Sequence, residues 1–350
     1  MDPTTQRLLM GSAGAGTVTG TSALAVAHQT TPFISVYPWS GLGFGTKYPD
    51  PATLPTSTAN GVAFSPDGAA VAVAHATSPF VTAYPWSGGF GTKYSNPATL
   101  PTSTANGVAF SPSSAAVAVA HATSPFVTAY PWSGSGFGTK YTNPGTLPTS
   151  TGFGVAFSPD GAALAVVNDA SPYVSVYPWS GSGFGAKYSD PATLPTSSAN
   201  GVAFSPNSTA IAVAHFSSPR ISVYPWSGGF GTKYTNPGTL PASTGNGVAF
   251  SPDGGALAVA HANSPRISVY PWSGSGFGTK YTDPSTGIPA TSASAVAFSP
   301  NSAEIAVAHN ASPYLTTYPW SGGGGFGAKY SNPATLPAGI GNGVSFKIIS

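Results

Sequence analysis

Cysteine is absent from this chain of 350 residues, and charged residues are scarce. Without cysteine the chain has no disulfide, no thiolate metal site and no cysteine nucleophile. Only 6% of its residues are charged, and 11 Lys and Arg against 9 Asp and Glu leave a net charge of +2, which is not the clustered basic surface that binds nucleic acid. No apolar run approaches the ~20 residues of a membrane-spanning helix. We therefore expect neither nucleic-acid nor membrane partners.

Apolar residues and turn formers are both abundant. The chain is 41% hydrophobic and contains 44 Gly and 36 Pro. Gly and Pro at this density would indicate disorder in a polar chain, but here they alternate with short apolar runs. This pattern is typical of many short strands separated by turns.

A single unit recurs along the chain about every 47 residues, a period that indicates a repeat architecture. The string YPWSG occurs seven times and accounts for all seven tryptophans; its copies begin at Tyr37, Tyr84, Tyr130, Tyr177, Tyr224, Tyr270 and Tyr318. Each unit reads as VAF, an SPDG-like turn, AVAVAH, an SP turn, FVTAYPW and a less regular fourth piece. No piece has helical spacing, and four short strands per unit predict a propeller blade.

The two ends of the repeat array predict how the ring closes. The first unit begins at its second strand, Ala23 to His28, and the chain ends with an additional first strand, Gly343 to Ile349. We therefore predict an all-β, seven-bladed β-propeller of four-stranded blades, in which the C-terminal strand completes the first blade and leaves no exposed sheet edge. Residues 21–350 are expected to form this single domain, and residues 1–20 a flexible N-terminal leader.

The motif VAFSPDG followed by AVAH, SP and a strand ending in Trp resembles the WD-repeat class of β-propellers. Two departures are visible: Trp-Ser, as in Trp86-Ser87, replaces Trp-Asp, and the Gly-His pair before the first strand is absent. The buried His–Asp network of that class is therefore not expected. The YPWSGxGFGTKY and NPATLP strings and the leader also resemble repeat proteins of tailed-bacteriophage virions. That resemblance implies a structural component of a phage particle.

Three positions recur in nearly every unit and are candidates for a function. Six of the seven units end the second strand in His, whereas the fourth has Asn168; we interpret these residues as structural and expect no metal, because equivalent positions on a ring lie too far apart to share one ion. Seven lysines precede a Tyr, and we expect each to lie along the ring with its ammonium group in water. The position after the SP turn varies most and is the candidate partner-binding site, occupied by Phe33, Phe80, Phe126, Tyr173, Arg220, Arg266 and Tyr314.

No catalytic constellation stands out. Glu304 is the only Glu, and several Asp residues, such as Asp67, lie in turn motifs. The expectation is a non-enzymatic component of a bacteriophage virion without a cofactor, located in the virion and contacting other virion proteins. The alternative is a module that binds a host-surface glycan or receptor through blade-edge pockets. The candidate docking segment of the leader is Arg7, Leu8, Leu9 and Met10.

Overall fold

A computed structural model describes residues 22–347, which form seven antiparallel sheets. Neighbouring sheets pack side by side in sequence order, and the last packs against the first through its inner strand. The prediction of a seven-bladed β-propeller is confirmed. The helical structure of residues 22–347 is limited to a short 3₁₀ turn, Gly322–Gly324, and this part of the chain has no helix that would cross a membrane.

Each blade has three main strands. The inner strands are β3 (Ala59–Phe64), β6 (Ala105–Phe110), β10 (Gly152–Phe157), β13 (Ala199–Phe204), β16 (Gly245–Phe250), β19 (Ala293–Phe298) and β22 (Gly341–Phe346). The middle strands are β1 (Ser22–His28), β4 (Ala70–His75), β7 (Ala116–His121), β11 (Ala163–Asn168), β14 (Ala210–His215), β17 (Ala256–His261) and β20 (Glu304–His309). The third strands are β2 (Ile34–Trp39), β5 (Val81–Pro85), β8 (Val127–Ser133), β12 (Val174–Pro178), β15 (Ile221–Pro225), β18 (Ile267–Pro271) and β21 (Leu315–Pro319).

The two ends of the described chain meet in blade 1, which consists of β22, β1 and β2. Strand β22 pairs antiparallel with β1, so that Leu24 lies opposite Phe346 and Val26 opposite Val344. One further bond, from the Lys347 N–H to the Ala23 carbonyl at 2.7 Å, extends the pairing. The predicted closure by the C-terminal strand is therefore confirmed, with the strand beginning at Gly341.

The fourth strand is shorter than expected in most blades. Blade 3 alone has a two-residue β9 (Gly136–Phe137) paired with β8. In the other six blades this segment makes a single bridge between the Trp that closes the third strand and a following Phe. Gly-rich loops and the Pro residues that follow limit regular pairing there. The blades are therefore three-stranded with a vestigial fourth strand.

Alanine on the middle strand lets adjacent blades approach closely. Ala70, Ala72 and Ala74 of blade 2 are buried in one cluster with Val117 and Trp132 of blade 3. Tyr94 of blade 2 meets the Trp132 ring edge-on at 5.1 Å, a favourable aromatic geometry. Equivalent Tyr–Trp contacts join the other blades. Small and large side chains thus alternate across every blade interface.

The inner strands approach one another around a central channel. A Cβ atom on Gly107 would lie 2.9 Å from the Phe153 carbonyl of the next blade, so only glycine fits there without displacement. The channel has a volume of about 430 Å³ and is lined by the second to fourth residues of each inner strand, such as Asn60, Gly61 and Val62. Repetition of the same unit therefore produces a narrow axial cavity of nearly sevenfold symmetry.

Candidate functional site

The propeller has two faces with different loops. We define the upper face as the one that carries the turns between the second and third strands, and the lower face as the one that carries the SPDG-like turns and the Trp-Ser-Gly loops. On the upper face each turn contains a cis X-Pro bond, and the next residue has a φ between 67° and 70°. In blade 2 this turn is closed by the Phe80 N–H, which donates to the Thr77 carbonyl at 2.8 Å.

The seven candidate partner-binding residues all occupy this position of positive φ, and all are half-buried. Phe33, Phe80 and Tyr173 pack on clusters that join their own blade to the next one. The structure therefore places this position at the grooves between blades on the upper face. Their role in binding a partner stays a prediction.

Arg220 and Arg266 depart from the aromatic residues at this position, and they lie on neighbouring blades 5 and 6. The Nε atom of each is buried without a hydrogen-bond partner, and neither guanidinium forms an ion pair within the described residues. In the next blade, burial is the main cause that lowers the pKa of His309 to about 4, and the positive charges of Lys329 and Arg266 lower it further. Two unpaired cations thus lie on one side of the upper face.

Two further residues distinguish the same region, and the sequence analysis did not single them out. Asp169 is the only carboxylate in the seven turns of the upper face and lies in blade 4, beside blade 5; it is exposed. Phe216 is 62% exposed in the turn of blade 5, where other blades have smaller residues. In the sequence, this region is marked by residues that differ from the repeat consensus and that lie in three consecutive units, those of blades 4, 5 and 6.

The histidines form a buried network beneath the upper face. In blade 2, His75 Nε2 lies 2.9 Å from the Thr82 hydroxyl of the third strand, and His75 Nδ1 lies 3.2 Å from the Thr56 hydroxyl of the loop entering the blade. Thr56 in turn donates to the Ser78 carbonyl before the cis proline. Threonine therefore links the histidine ring to the SP turn.

The network is complete in only some blades. Threonine pairs with Nδ1 of His75, His121 and His215. The loops entering blades 1, 6 and 7 have Ala338, Ala242 and Ala290 instead. Nδ1 of His28, His261 and His309 is correspondingly buried without a partner.

Asn168 makes only one of the two side-chain hydrogen bonds that histidine makes at this position. Its Oδ1 accepts from the Thr149 hydroxyl at 3.0 Å, which is the bond that histidine Nδ1 makes elsewhere. Its shorter side chain leaves both Asn168 Nδ2 and the Ser175 hydroxyl buried without partners. Asparagine therefore keeps the bond to the loop and loses the bond to the third strand.

Burial keeps the six histidines neutral. All six are fully buried, and burial lowers the pKa of each to about 4. No group of three potential metal ligands from His, Cys, Asp and Glu occurs among residues 22–347. Neutral, hydrogen-bonded side chains of this kind act as structural elements rather than as proton donors or acceptors for a substrate.

The seven lysines are engaged with acceptors instead of pointing freely into water. Lys47, Lys187 and Lys280 form ion pairs with the Asp three residues later. The other four donate to the Asn three residues later: Lys93, Lys140, Lys233 and Lys329. The lysines therefore do not form an open cationic ring.

Asparagine side chains surround the upper end of the channel. Every inner strand has a β-bulge at its second residue, which turns that side chain toward the neighbouring blade. Asn60 Nδ2, for example, donates to the Ala105 carbonyl of the next blade at 2.9 Å. Phe153 and Ser294 occupy this position in blades 4 and 7, and Asn in the others. These asparagines join five of the seven pairs of adjacent inner strands.

The proposed leader segment, Arg7, Leu8, Leu9 and Met10, lies outside the described residues, as does the predicted boundary at residues 20 and 21. That boundary stays a prediction. So do location in a virion and contact with virion proteins or a host-surface glycan.

Comparison with known proteins identifies the fold. No family model and no curated protein matches the chain. Among solved structures, a candidate 6-phosphogluconolactonase of Bacteroides uniformis is similar with a TM-score of 0.72 and 15% identity, over 93% of this chain and 99% of that one. The periplasmic gluconolactonase PpgL of Pseudomonas aeruginosa is similar with a TM-score of 0.71 and 17% identity, over 94% and 100%. At this identity the likeness shows the fold.

These neighbours correct the expected function. Nothing in the comparisons links the chain to the repeat proteins of phage virions, and several similar structures carry the names of lactonases. The expectation of a non-enzymatic virion component is therefore wrong, and so is the expectation that the chain is not an enzyme. The error has a physical reason: repeated strings specify blade packing, which is shared by propellers of unrelated function.

Proposed function

We propose that this propeller is a hydrolase that opens the lactone ring of an anionic sugar on its upper face. The observation that carries the proposal is the pair Arg220 and Arg266, two half-buried arginines at equivalent positions of adjacent blades, neither ion-paired to a described acid. The lactonase names of similar propellers support the reaction class. An anionic substrate is the partner that two such cations favour.

Arginine suits the recognition of an oxyanion. A planar guanidinium donates two parallel hydrogen bonds to a phosphate or carboxylate. Since Nε of each arginine is buried and unpaired, the side chain retains unused donor capacity. The exposed ring of Phe216 offers an apolar surface for a sugar ring next to these cations. Together they define a site with a polar end and an apolar end.

The reaction needs a water molecule and a proton acceptor. Water adds to the lactone carbonyl carbon, the ring C–O bond breaks, and the departing ring oxygen takes a proton, which yields the open hydroxy acid. The buried neutral histidines have no access to substrate. Asp169 is exposed on the same face one blade away, and we assign it the role of general base that accepts the proton of the attacking water.

The test uses glucono-1,5-lactone and its 6-phosphate, whose hydrolysis releases acid that a pH indicator records. We expect hydrolysis above the spontaneous rate, and a preference for the phosphorylated lactone. The Arg220→Ala, Arg266→Ala double variant should lose at least about 100-fold in kcat/KM on the phosphorylated substrate, since two charge-assisted contacts contribute about 1.5–3 kcal/mol each.

The matched control is the double variant Phe80→Ala, Phe126→Ala, which changes the equivalent position on each of blades 2 and 3. This control should retain activity, because it removes no cation. A wild-type rate equal to that of buffer alone would refute the proposal. Equal losses in the arginine variant and the phenylalanine variant would show that the arginines act through stability.

A further inference from the structure

The interface between blades 7 and 1 contains a buried carboxylate, and no other interface within residues 22–347 has one. Glu304 is the first residue of β20, and the middle strands of blades 1 to 6 have Ala at the equivalent position. Glu304 pairs with Pro319 in blade 7, just as Ala70 pairs with Pro85 in blade 2. It is only 3% exposed. Its Oε2 atom is buried without a hydrogen-bond partner. A carboxylate in this state is strongly unfavourable unless a cation or donor reaches it.

The surroundings of Glu304 provide no such cation. The three ion pairs of the described residues join Lys to Asp elsewhere. At the same interface the indole Nε1 of Trp39 is also buried without a partner. The Tyr330 hydroxyl, which could have served as a donor, is engaged by the Gly41 carbonyl at 2.9 Å. The polar groups of this interface are therefore incomplete within residues 22–347.

An exposed apolar residue follows the glycine that lies beside the carboxylate. A Cβ atom on Gly41 would be 3.3 Å from Glu304 Oε1, and the next residue, Leu42, is 90% exposed. Blades 3, 4 and 6 have Ser at the position of Leu42, namely Ser135, Ser182 and Ser275. We call Glu304, Gly41, Leu42 and Trp39 the seam. The seam combines a carboxylate oxygen without a hydrogen-bond partner and an exposed apolar side chain on the lower face.

The described part of the chain begins at the seam. Ser22, the first described residue, lies opposite Trp39 in the pairing of β1 with β2. The 21 preceding residues contain one cation, Arg7, followed by Leu8, Leu9 and Met10. Arg7 is separated from Ser22 by enough chain to span up to ~50 Å, so it can return to a site next to Trp39. Its charge and the three apolar residues after it complement Glu304 and Leu42.

We propose that residues 7–10 bind the seam, with the Arg7 guanidinium paired to Glu304 and with Leu8, Leu9 and Met10 covering Leu42. The chain is then its own partner at the lower face. Arginine is suited to such a pair because its planar guanidinium donates several hydrogen bonds to a carboxylate. Docking on the lower face leaves the upper face open, and this proposal does not depend on the proposed hydrolase activity.

Limited trypsin digestion of the full chain tests the proposal, because trypsin cleaves after Arg7 and intact-mass spectrometry records the loss of residues 1–7. We expect slow cleavage in the wild type and cleavage at least about tenfold faster in Glu304→Ala, since a protected site becomes accessible in proportion to the population of its open form. Ala is the residue at this position in the other blades, so this variant retains the local packing. Leu42→Ser should give a smaller increase.

Two references separate docking from a general loss of structure. Asp169→Ala removes an exposed carboxylate on the opposite face and should leave the cleavage rate unchanged. Cleavage after Lys347, which adjoins β22, should be equal in the wild type and in Glu304→Ala. Equal cleavage after Arg7 in the wild type and in Glu304→Ala would overturn the proposal. Faster cleavage at both Arg7 and Lys347 would also overturn it, because it would show loosening of blade 1.

Thermal unfolding gives a second measurement. Arg7→Ala should lower Tm in the wild-type background and have no effect in the Glu304→Ala background, which is the signature of a coupled pair. An unchanged Tm for Arg7→Ala in both backgrounds would contradict the pairing.

Discussion

Acidification should unfold this protein through its buried histidines. Burial lowers the pKa of all six from 6.5 to about 4. In the unfolded chain they regain ordinary values, so between these two pH values the unfolded state binds more protons than the folded state. Stability from this source is complete above pH 6.5 and decreases as the pH falls toward 4.

The magnitude is large because the same histidine recurs in six blades. A pKa lowered from 6.5 to about 4 corresponds to about 3 kcal/mol per histidine at pH 4. At pH 5 each histidine loses about 2 kcal/mol, and the six together lose on the order of 12 kcal/mol. Ordinary domains have ~5–15 kcal/mol of net stability. We therefore expect cooperative unfolding between about pH 5.5 and 4.

Tryptophan fluorescence and near-UV circular dichroism against pH measure this transition. His121→Asn provides the control, since Asn168 occupies this position in blade 4. The variant has one fewer buried titrating group, so its loss of stability between pH 7 and 5 should be smaller by about 2 kcal/mol, although the Thr128 hydroxyl loses its partner. Native near-UV signal at pH 3.5, or histidine NMR resonances that titrate near pH 6.5, would refute the reasoning.

Three other perturbations have defined outcomes. Truncation after Ile340 removes β22 and exposes a sheet edge in blade 1, so the product should aggregate; a monomer with unchanged Tm by size-exclusion chromatography and calorimetry would contradict the closure. Thr102→Ala should destabilise by about 1 kcal/mol and Ala242→Thr should stabilise by a similar amount in urea unfolding, because one removes and the other supplies a partner for a buried histidine; changes of the same sign would count against the network. Gly107→Ala should cost about 1–3 kcal/mol through overpacking of the inner strands, whereas Gly134→Ala, where a Cβ atom meets nothing within 4 Å, should be nearly neutral by the same assay.

The architecture was readable from the sequence because its causes are local and repeated. Alternating Ala and Val in AVAVAH, turn residues in SPDG and a period of about 47 residues each act over a few neighbours, and seven copies made the pattern unambiguous. The incomplete unit at each end predicted that β22 would pair with β1. The fourth strand is shorter than the sequence predicts, because a Gly-rich sequence does not indicate how many residues of the loop pair with the third strand.

The candidate site depended on contacts that repeat patterns do not encode. That Arg220 and Arg266 lie on adjacent blades follows from the ring, but their unpaired Nε atoms follow from the packing around them. The functional class was misjudged because similar strings indicate similar blades, whereas a site is built from the residues that depart from the repeat.

The sequence by itself determined the strands, their number and the closure of the ring. Only the tertiary structure decided which polar groups find partners. Threonine reaches His75 from a loop 19 residues earlier, while Ala338, at the opposite end of the chain, supplies no partner for His28 Nδ1. Glu304 and Gly41, 263 positions apart, become neighbours for the same reason. Hydrogen bonding and burial depend on distances in space, and the ring brings together residues that the chain separates by most of its length.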